Sequence, residues 1–274
     1  MSMYTLDGKD LDDPQGRWVL EEGTTLSTWG EPRLSSVEVP NRFGVLPIPA
    51  TVTDAQQVVL KFRVFSWTDG GKSLCHGTQA DLDANLRALR NRLLVLGRLP
   101  VLGHTPSGAG AAPRVAEVRL KGSVEPSFSP DTMTVSVSAV FEIPDGMWHD
   151  PEPTVVPLTG ASSLSGGTAP VMDAMIMLAP TANEMVVKDV TSGSSLTWKG
   201  STIPTASERI LVNVSRYTAH KQASTGWDVV NGAQDVSGQI SMSAGGLRIT
   251  PDGDGKVGLT VTGGSGLIRA RRAY

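Results

Sequence analysis

The chain has 274 residues, of which 39% are apolar, 19% charged and 5% aromatic, with 30 glycines and 18 prolines. That length provides for two domains, each with its own core, and the mix of many turn formers with few aromatics suits strands joined by turns. A formal net charge of −3 does not indicate a basic nucleic-acid-binding surface, and a single cysteine, Cys75, excludes an internal disulfide.

In chain order, Tyr4 to Gly8 followed by Lys9 to Asp13 reads as a short strand, an Asp-Gly turn and a return. Arg17 to Gly23 is a second strand with Trp18 and Leu20 on one face. Ser35 to Val39 and Phe43 to Ile48 are short strands whose pairing is limited by Pro40, Pro47 and Pro49. Val58, Leu60, Phe62 and Val64 alternate with Lys61, Arg63 and Phe65, the period-two signature of a half-buried strand. A helix is expected over 79–96. Thr78 is its N-cap, Asp81 completes a capping box, and Leu82, Leu86, Leu89, Leu93 and Leu96 form one stripe. Gly97 is the expected C-cap and Pro100 the stop. Two heptads are too few for a coiled coil, so the stripe is assigned to its own sheet.

The longest alternation runs from Thr132 to Ile143, with Met133, Val135, Val137, Ala139, Phe141 and Ile143 on one face. Arg114 to Val124 alternates before it, and a loop over 125–131 makes the two a predicted hairpin. Proline-rich 150–157 and Ser/Gly-rich 158–167 read as a linker. The predicted division is therefore a first domain over 1–150, a linker over 151–167, and a β-sandwich over 168–274 built from about eight short strands with no helix. Residues 1–150 carry 14 Lys+Arg against 18 Asp+Glu, and residues 151–274 carry 10 against 9. The overall fold class is mainly β with one helix. A signal peptide and a membrane helix are not expected from the patterning.

Chemistry-bearing motifs are sparse. Cys75 and His76 are sequence neighbours in a Gly-rich loop, which is not how a nucleophile meets its base. His104, His149 and His220 are single and widely spaced, so no metal site is expected. Asp252-Gly-Asp254-Gly-Lys lacks the remaining ligands of a calcium loop and reads as a hairpin turn. Arg269, Arg271 and Arg272 form a small basic cluster near the C-terminus. Trp148, Trp198, Trp227 and Tyr217 are either a sugar platform or core aromatics, with Trp198, Trp227 and Tyr217 the candidate glycan-facing residues. No catalytic residue and no cofactor is assigned, and an enzyme is not expected.

The order of parts resembles the distal tail proteins of long-tailed, siphovirus-type phages, usually called minor tail proteins in phages of actinobacteria. The resembling residues are Tyr4-Thr-Leu-Asp-Gly8, the strand Val58 to Val64, the helix Leu82 to Leu93, and Ala116 to Leu120 leading into Thr134 to Asp150. An all-β second domain follows. The resemblance covers most of residues 1–150 and covers the second half as architecture. It implies a tail-tube-like β-sandwich or split barrel that forms a hexameric ring, and a galectin- or carbohydrate-module-like sandwich attached to it. It further implies a structural virion component at the tail tip, assembled in the host cytoplasm. The ring would join the tail tube protein and the tape-measure protein to receptor-binding tip proteins. DNA would pass through its channel without specific binding, and nothing would insert into a membrane. The alternative reading is a carbohydrate-binding protein that adheres to cell-wall glycans.

Overall fold

The first half is organised by two ten-residue strands. A computed structural model describes residues 3–21, 24, 35–38, 45–48, 54–67, 77–107, 112–122 and 124–274. The chain divides into two compact units, Met1–Trp148 and His149–Tyr274.

The elements of unit 1 are, in order, β1 (Tyr4–Leu6), β2 (Lys9–Asp10), β3 (Trp18–Leu20), β4 (Ser35–Glu38), β5 (Val45–Ile48) and β6 (Gln56–Phe65). The helix α1 (Gln79–Leu93) follows, then β7 (Val101–His104), β8 (Arg114–Glu117), β9 (Arg119–Lys121), β10 (Pro126–Ser129) and β11 (Thr134–Ile143). One sheet has the order β2-β1-β7-β8. The second runs β10-β11-β6-β3, with β9 also on β11, and β4 pairs with β5. β6 and β11 are antiparallel along their whole length, from Gln56↔Ile143 to Phe65↔Thr134. Val58, Leu60, Phe62 and Val64 of β6 are buried opposite Phe141, Ala139, Val137 and Val135 of β11. Register is thereby specified, because a slip of one residue would turn Lys61, Arg63 and Ser138 into the core.

The β1–β2 turn is the expected Asp-Gly pair, with both Asp7 and Gly8 at positive φ, the geometry a two-residue hairpin of the I′ type requires. α1 packs on β6 and β11. Its capping box is complete, with Thr78 accepting from the Asp81 amide and Asp81 accepting from the Thr78 amide. Leu82, Leu89 and Leu93 are buried. The helix stops at Leu93, three residues before the predicted end at 96, and Leu96 stands 80% exposed. Leu94 is in extended conformation, so the stripe loses its phase at Leu93. Asn85 is a core residue that the leucine spacing did not mark. Its Nδ2 donates to the carbonyls of Phe65 at 2.9 Å and Trp67 at 2.8 Å, tying the helix to the end of β6.

The predicted hairpin is only partly formed. The segment 114–124 switches sheets at Val118, which is fully buried between β8 on β7 and β9 on β11. The expected loop 125–131 contains β10, which pairs with the start of β11 from Pro126↔Val137 to Ser129↔Thr134. Met133 lies outside the strand, in the left-handed region at φ 48°. Alternation assigns each residue a face but not a partner, so both pieces of 114–124 kept their pattern while pairing differently.

Unit 2 contains β12 (Thr154–Pro157), β13 (Met175–Pro180), β14 (Glu184–Asp189), β15 (Ser195–Lys199), β16 (Arg209–Asn213), β17 (Thr218–Gln222), β18 (Gln234–Asp235), β19 (Ile240–Met242), β20 (Leu259–Thr262) and β21 (Gly264–Ala270). Six strands in the order β12-β21-β13-β16-β17-β18 and four in the order β19-β15-β14-β20 make the two sheets of a sandwich. Ile176, Leu178, Ile210, Val212 and Ile268 of the first sheet and Met185, Val187, Leu196 and Trp198 of the second are buried. The predicted linker over 151–167 is instead part of this unit. β12 pairs with β21, and a 3₁₀ segment over Leu158–Leu164 buries Leu158, Ala161 and Leu164. Prolines suited β12 because it is an edge strand, where a missing N–H costs no ladder bond.

The two ends of unit 2 are stapled together. Asp150, buried, accepts from Arg272 Nε at 2.6 Å and from the Tyr274 hydroxyl at 2.9 Å. The Asp150 amide donates to the Arg272 carbonyl, and Ala273 bridges to both His149 and Ala169. No helix among the described residues is long and apolar enough to cross a membrane.

Two outcomes follow from these contacts. Asn85→Ala, which removes both bonds from α1 to the end of β6, is expected to destabilise unit 1 by about 1–3 kcal/mol in urea unfolding. Asp150→Asn weakens the staple and is expected to cost unit 2 about 1.5–3 kcal/mol, measured the same way, with unit 1 unaffected.

Candidate functional site

The aromatic residues singled out in the sequence are not brought together. Trp198 is 1% exposed in the sandwich core, and its Nε1 donates to Gln239 Oε1 at 3.0 Å. It is therefore not a glycan-facing residue, because period-two alternation along β15 turns it inward beside Leu196. Trp148 is buried in unit 1 with its ring 5.7 Å from that of His104. Tyr217 is 54% exposed, at φ 55° in the turn before β17. Trp227 is half-buried in the loop after β17, held at that end by Gln222, whose Nε2 reaches the Gly226 and Asp228 carbonyls. A five-residue strand spans roughly 16 Å, so Tyr217 and Trp227 sit at opposite ends of β17 and form no common platform.

The remaining candidates resolve individually. Cys75 and His76 lie outside the described residues. Asp252 Oδ1 accepts from the Asp254 and Lys256 amides at 2.9 and 2.8 Å, closing a turn. The C-terminal basic cluster is largely neutralised, Arg271 by Asp173 at 3.2 Å and Arg272 by Asp150. Among the described residues, no group of three or more His, Cys, Asp or Glu side chains is arranged to hold a metal ion.

Unit 1 carries two features the sequence did not reveal. The first is an ion-pair cluster in which exposed Arg119 and Lys121 of β9 converge on the buried Glu142 of β11. Glu142 receives Lys121 Nζ at 3.0 Å and Arg119 Nε at 2.8 Å. Hydrogen bonds from Lys121 and then Arg119 hold its carboxyl below the ordinary glutamate range. The second is a groove of about 550 Å³ between α1 and the β9/β10 side of the second sheet. Leu86 and Leu94 form one wall, Leu120 and Pro126 the other, and Val137 part of the floor. Pro126, Leu120 and Val137 are on the buried face of the sheet, since their ladder partners are Val137, Phe141 and Pro126. The groove is thus a strip of apolar sheet that α1 leaves uncovered. Arg87 and Arg90 stand exposed on its rim with Asp83. Asp83 is engaged by Gln79 Nε2 at 3.2 Å, and neither arginine has an ion-pair partner among the described residues.

Among the described residues, His104 is the histidine with aromatic-ring neighbours. It stacks on Tyr4 with ring centroids 4.6 Å apart and faces Trp148. Its Nε2 is buried without a hydrogen-bond partner among the described residues. Burial, and next the charge of Arg114 opposite it on β8, lower its pKa.

No protein-family model matches the chain, and no curated protein matches it. Solved chains similar in structure include two from phage baseplates. One comes from the phage p2 baseplate in its activated conformation with Sr, at 14% identity and a TM-score of 0.39, with 98% of this chain and 97% of that chain covered. The other comes from the phage P2 baseplate in its activated conformation with Ca, at 15% identity and a TM-score of 0.35, with 90% of each chain covered. Superpositions below one half transfer no residue roles to this chain.

The setting of His104 is expected to make unit 1 sensitive to mild acid. A histidine whose pKa is lower folded than unfolded contributes its full stability above the unfolded value. That contribution is lost as pH falls, because the unfolded chain takes up the proton first. Between about pH 7 and 5, below the onset of histidine titration and above that of most carboxylates, the melting temperature of unit 1 is expected to fall. In His104→Phe that slope should flatten, which thermal melts across the window will check.

Proposed function

We propose that the protein is a structural component of a phage tail, a distal-tail hub in which unit 1 closes into a six-membered ring and unit 2 is carried as an accessory sandwich. The observation that carries this reading is the open-edged sheet of unit 1. Its ten-residue β6–β11 ladder is flanked by β3 on one side and by β9 and β10 on the other. Among the described residues no further strand lies outside β3 or outside β9 and β10, and two different edges on one sheet favour head-to-tail association, the heterologous contact that closes into a ring when its rotation permits. Strand addition at the β3 edge supplies backbone hydrogen bonds between copies.

Charge and order of parts are consistent with this reading. Residues 1–150 carry more Asp+Glu than Lys+Arg, 18 against 14, so a channel through such a ring would pass DNA without retaining its phosphates. The long alternating strands, the single capped helix and the second all-β unit occur in the order that the distal-tail resemblance implies. On this reading the partners are the tail tube, the tape-measure protein and the host-facing tip proteins, and the finished protein resides in the virion.

Light scattering and negative-stain imaging of the purified chain test the proposal. The expected species is a six-fold ring with an open centre, formed by the chain alone or on addition of its tail tube protein. A monomer under both conditions overturns it. Val19 lies on the β3 edge and is exposed. Val19→Lys is expected to abolish the ring while changing stability by less than about 0.5 kcal/mol, the usual range for an exposed site.

A further inference from the structure

We propose that the groove beside α1 is a docking site for an amphipathic α-helix of a different protein, aliphatic on one face and flanked by carboxylates. The groove is an apolar strip, with Leu94 40% exposed and Leu86, Leu120 and Pro126 along its walls. Exposed aliphatic surface set in a concave site marks a binding surface rather than scattered surface leucines.

The walls select the secondary structure of the occupant. An extended strand needs a continuous row of free backbone N–H and C=O groups beside it. The β9/β10 wall does not offer one. β9 ends at Lys121, Gly122 turns away at φ 74°, and β10 begins with Pro126, which has no N–H to donate. A helix satisfies its own backbone and asks only for apolar contacts at i, i+3, i+4 and i+7. From Asp83 to Leu94 the α1 wall is roughly 17 Å long at 1.5 Å per residue, room for about three turns of a helix.

The rim selects its charge. Arg87 and Arg90 are exposed, point to the groove side of α1, and have no carboxylate partner among the described residues. Carboxylates beside the aliphatic stripe of the incoming helix would pair with them while desolvated on one side. Among the described residues, a second copy of this chain does not supply such a helix. The only α-helix among the described residues is α1, its apolar stripe is already buried on β6 and β11, and its own rim is basic. The partner is therefore another protein.

The test uses the full chain and two synthetic 16-residue helical peptides. Both carry Leu at i, i+3, i+4 and i+7 spacing, one with flanking Glu and the other with flanking Lys. Fluorescence anisotropy is expected to show binding of the Glu peptide and weaker binding of the Lys peptide. The double variant Arg87→Glu/Arg90→Glu, whose sites are exposed and leave the core intact, should weaken the Glu peptide about tenfold and reverse the preference. Leu94→Ser should weaken both peptides. Absence of Glu-peptide binding at about 1 mM, or equal affinity of the wild-type and Arg87→Glu/Arg90→Glu proteins, overturns the proposal. So does self-association of the chain that is lost in Leu94→Ser, since the groove would then be filled by a second copy. Ring formation is read separately by light scattering, so failure of the groove and failure of the hub reading are distinguishable.

Discussion

The buried row shared by β6 and β11 is the constraint on which unit 1 depends. Phe62 lies opposite Val137, Phe141 opposite Val58, and Leu60 opposite Ala139. Large faces small across these three rungs, so side chains fill the layer under α1 without overlap. Each fully buried aliphatic or aromatic side chain contributes about 1.5–3 kcal/mol relative to exposure, and the row is long enough to hold α1 and the shorter strands around it. β3 extends the row through Trp18 and Leu20, and β10 extends it through Pro126 and Phe128. Phe128 remains 47% exposed because nothing among the described residues covers that end of the face. The groove is thus a consequence of one fact: the apolar face of the sheet is wider than the helix that covers it.

Unit 2 is closed in a different way. Its core is a two-sheet sandwich, but its boundary is set by the Asp150–Arg272–Tyr274 network and by Ala273 between His149 and Ala169. Entry and exit of the chain lie side by side. A module of this kind can be appended to or removed from a scaffold with little change to either core. That is compatible with the proposed accessory role, and it gives the prolines of 151–157 a structural reason. They shape an edge strand rather than a spacer.

Charge placement separates the surfaces that are finished from those that are not. Asp7–Arg98, Asp13–Arg17, Asp173–Arg271 and the Glu142 cluster are satisfied internally. Among the described residues Arg87 and Arg90 have no such partner, and they flank the exposed Leu94. A solvated arginine is unremarkable alone, but two beside an apolar groove define both the shape and the sign of what fits there.

Much of the secondary structure was legible from local chemistry. The alternation of Val58 to Val64, the Thr78–Asp81 capping box and the Asp7-Gly8 turn each encode a backbone state within a few residues, and each is found where expected. What the tertiary structure alone decided was pairing and burial. The 114–124 segment divides between two sheets at Val118, β10 replaces an expected loop, and the proline-rich 154–157 becomes a strand. Leu96 falls outside the helix, Asn85 falls inside the core, and Trp198 turns inward. The reason is physical: period and propensity are properties of neighbouring residues, whereas partner choice and coverage depend on side chains tens of residues away. The groove had no sequence signal at all, because its walls come from residues 83–94 and 120–137, and its existence depends on the width of α1 against the width of the sheet beneath it.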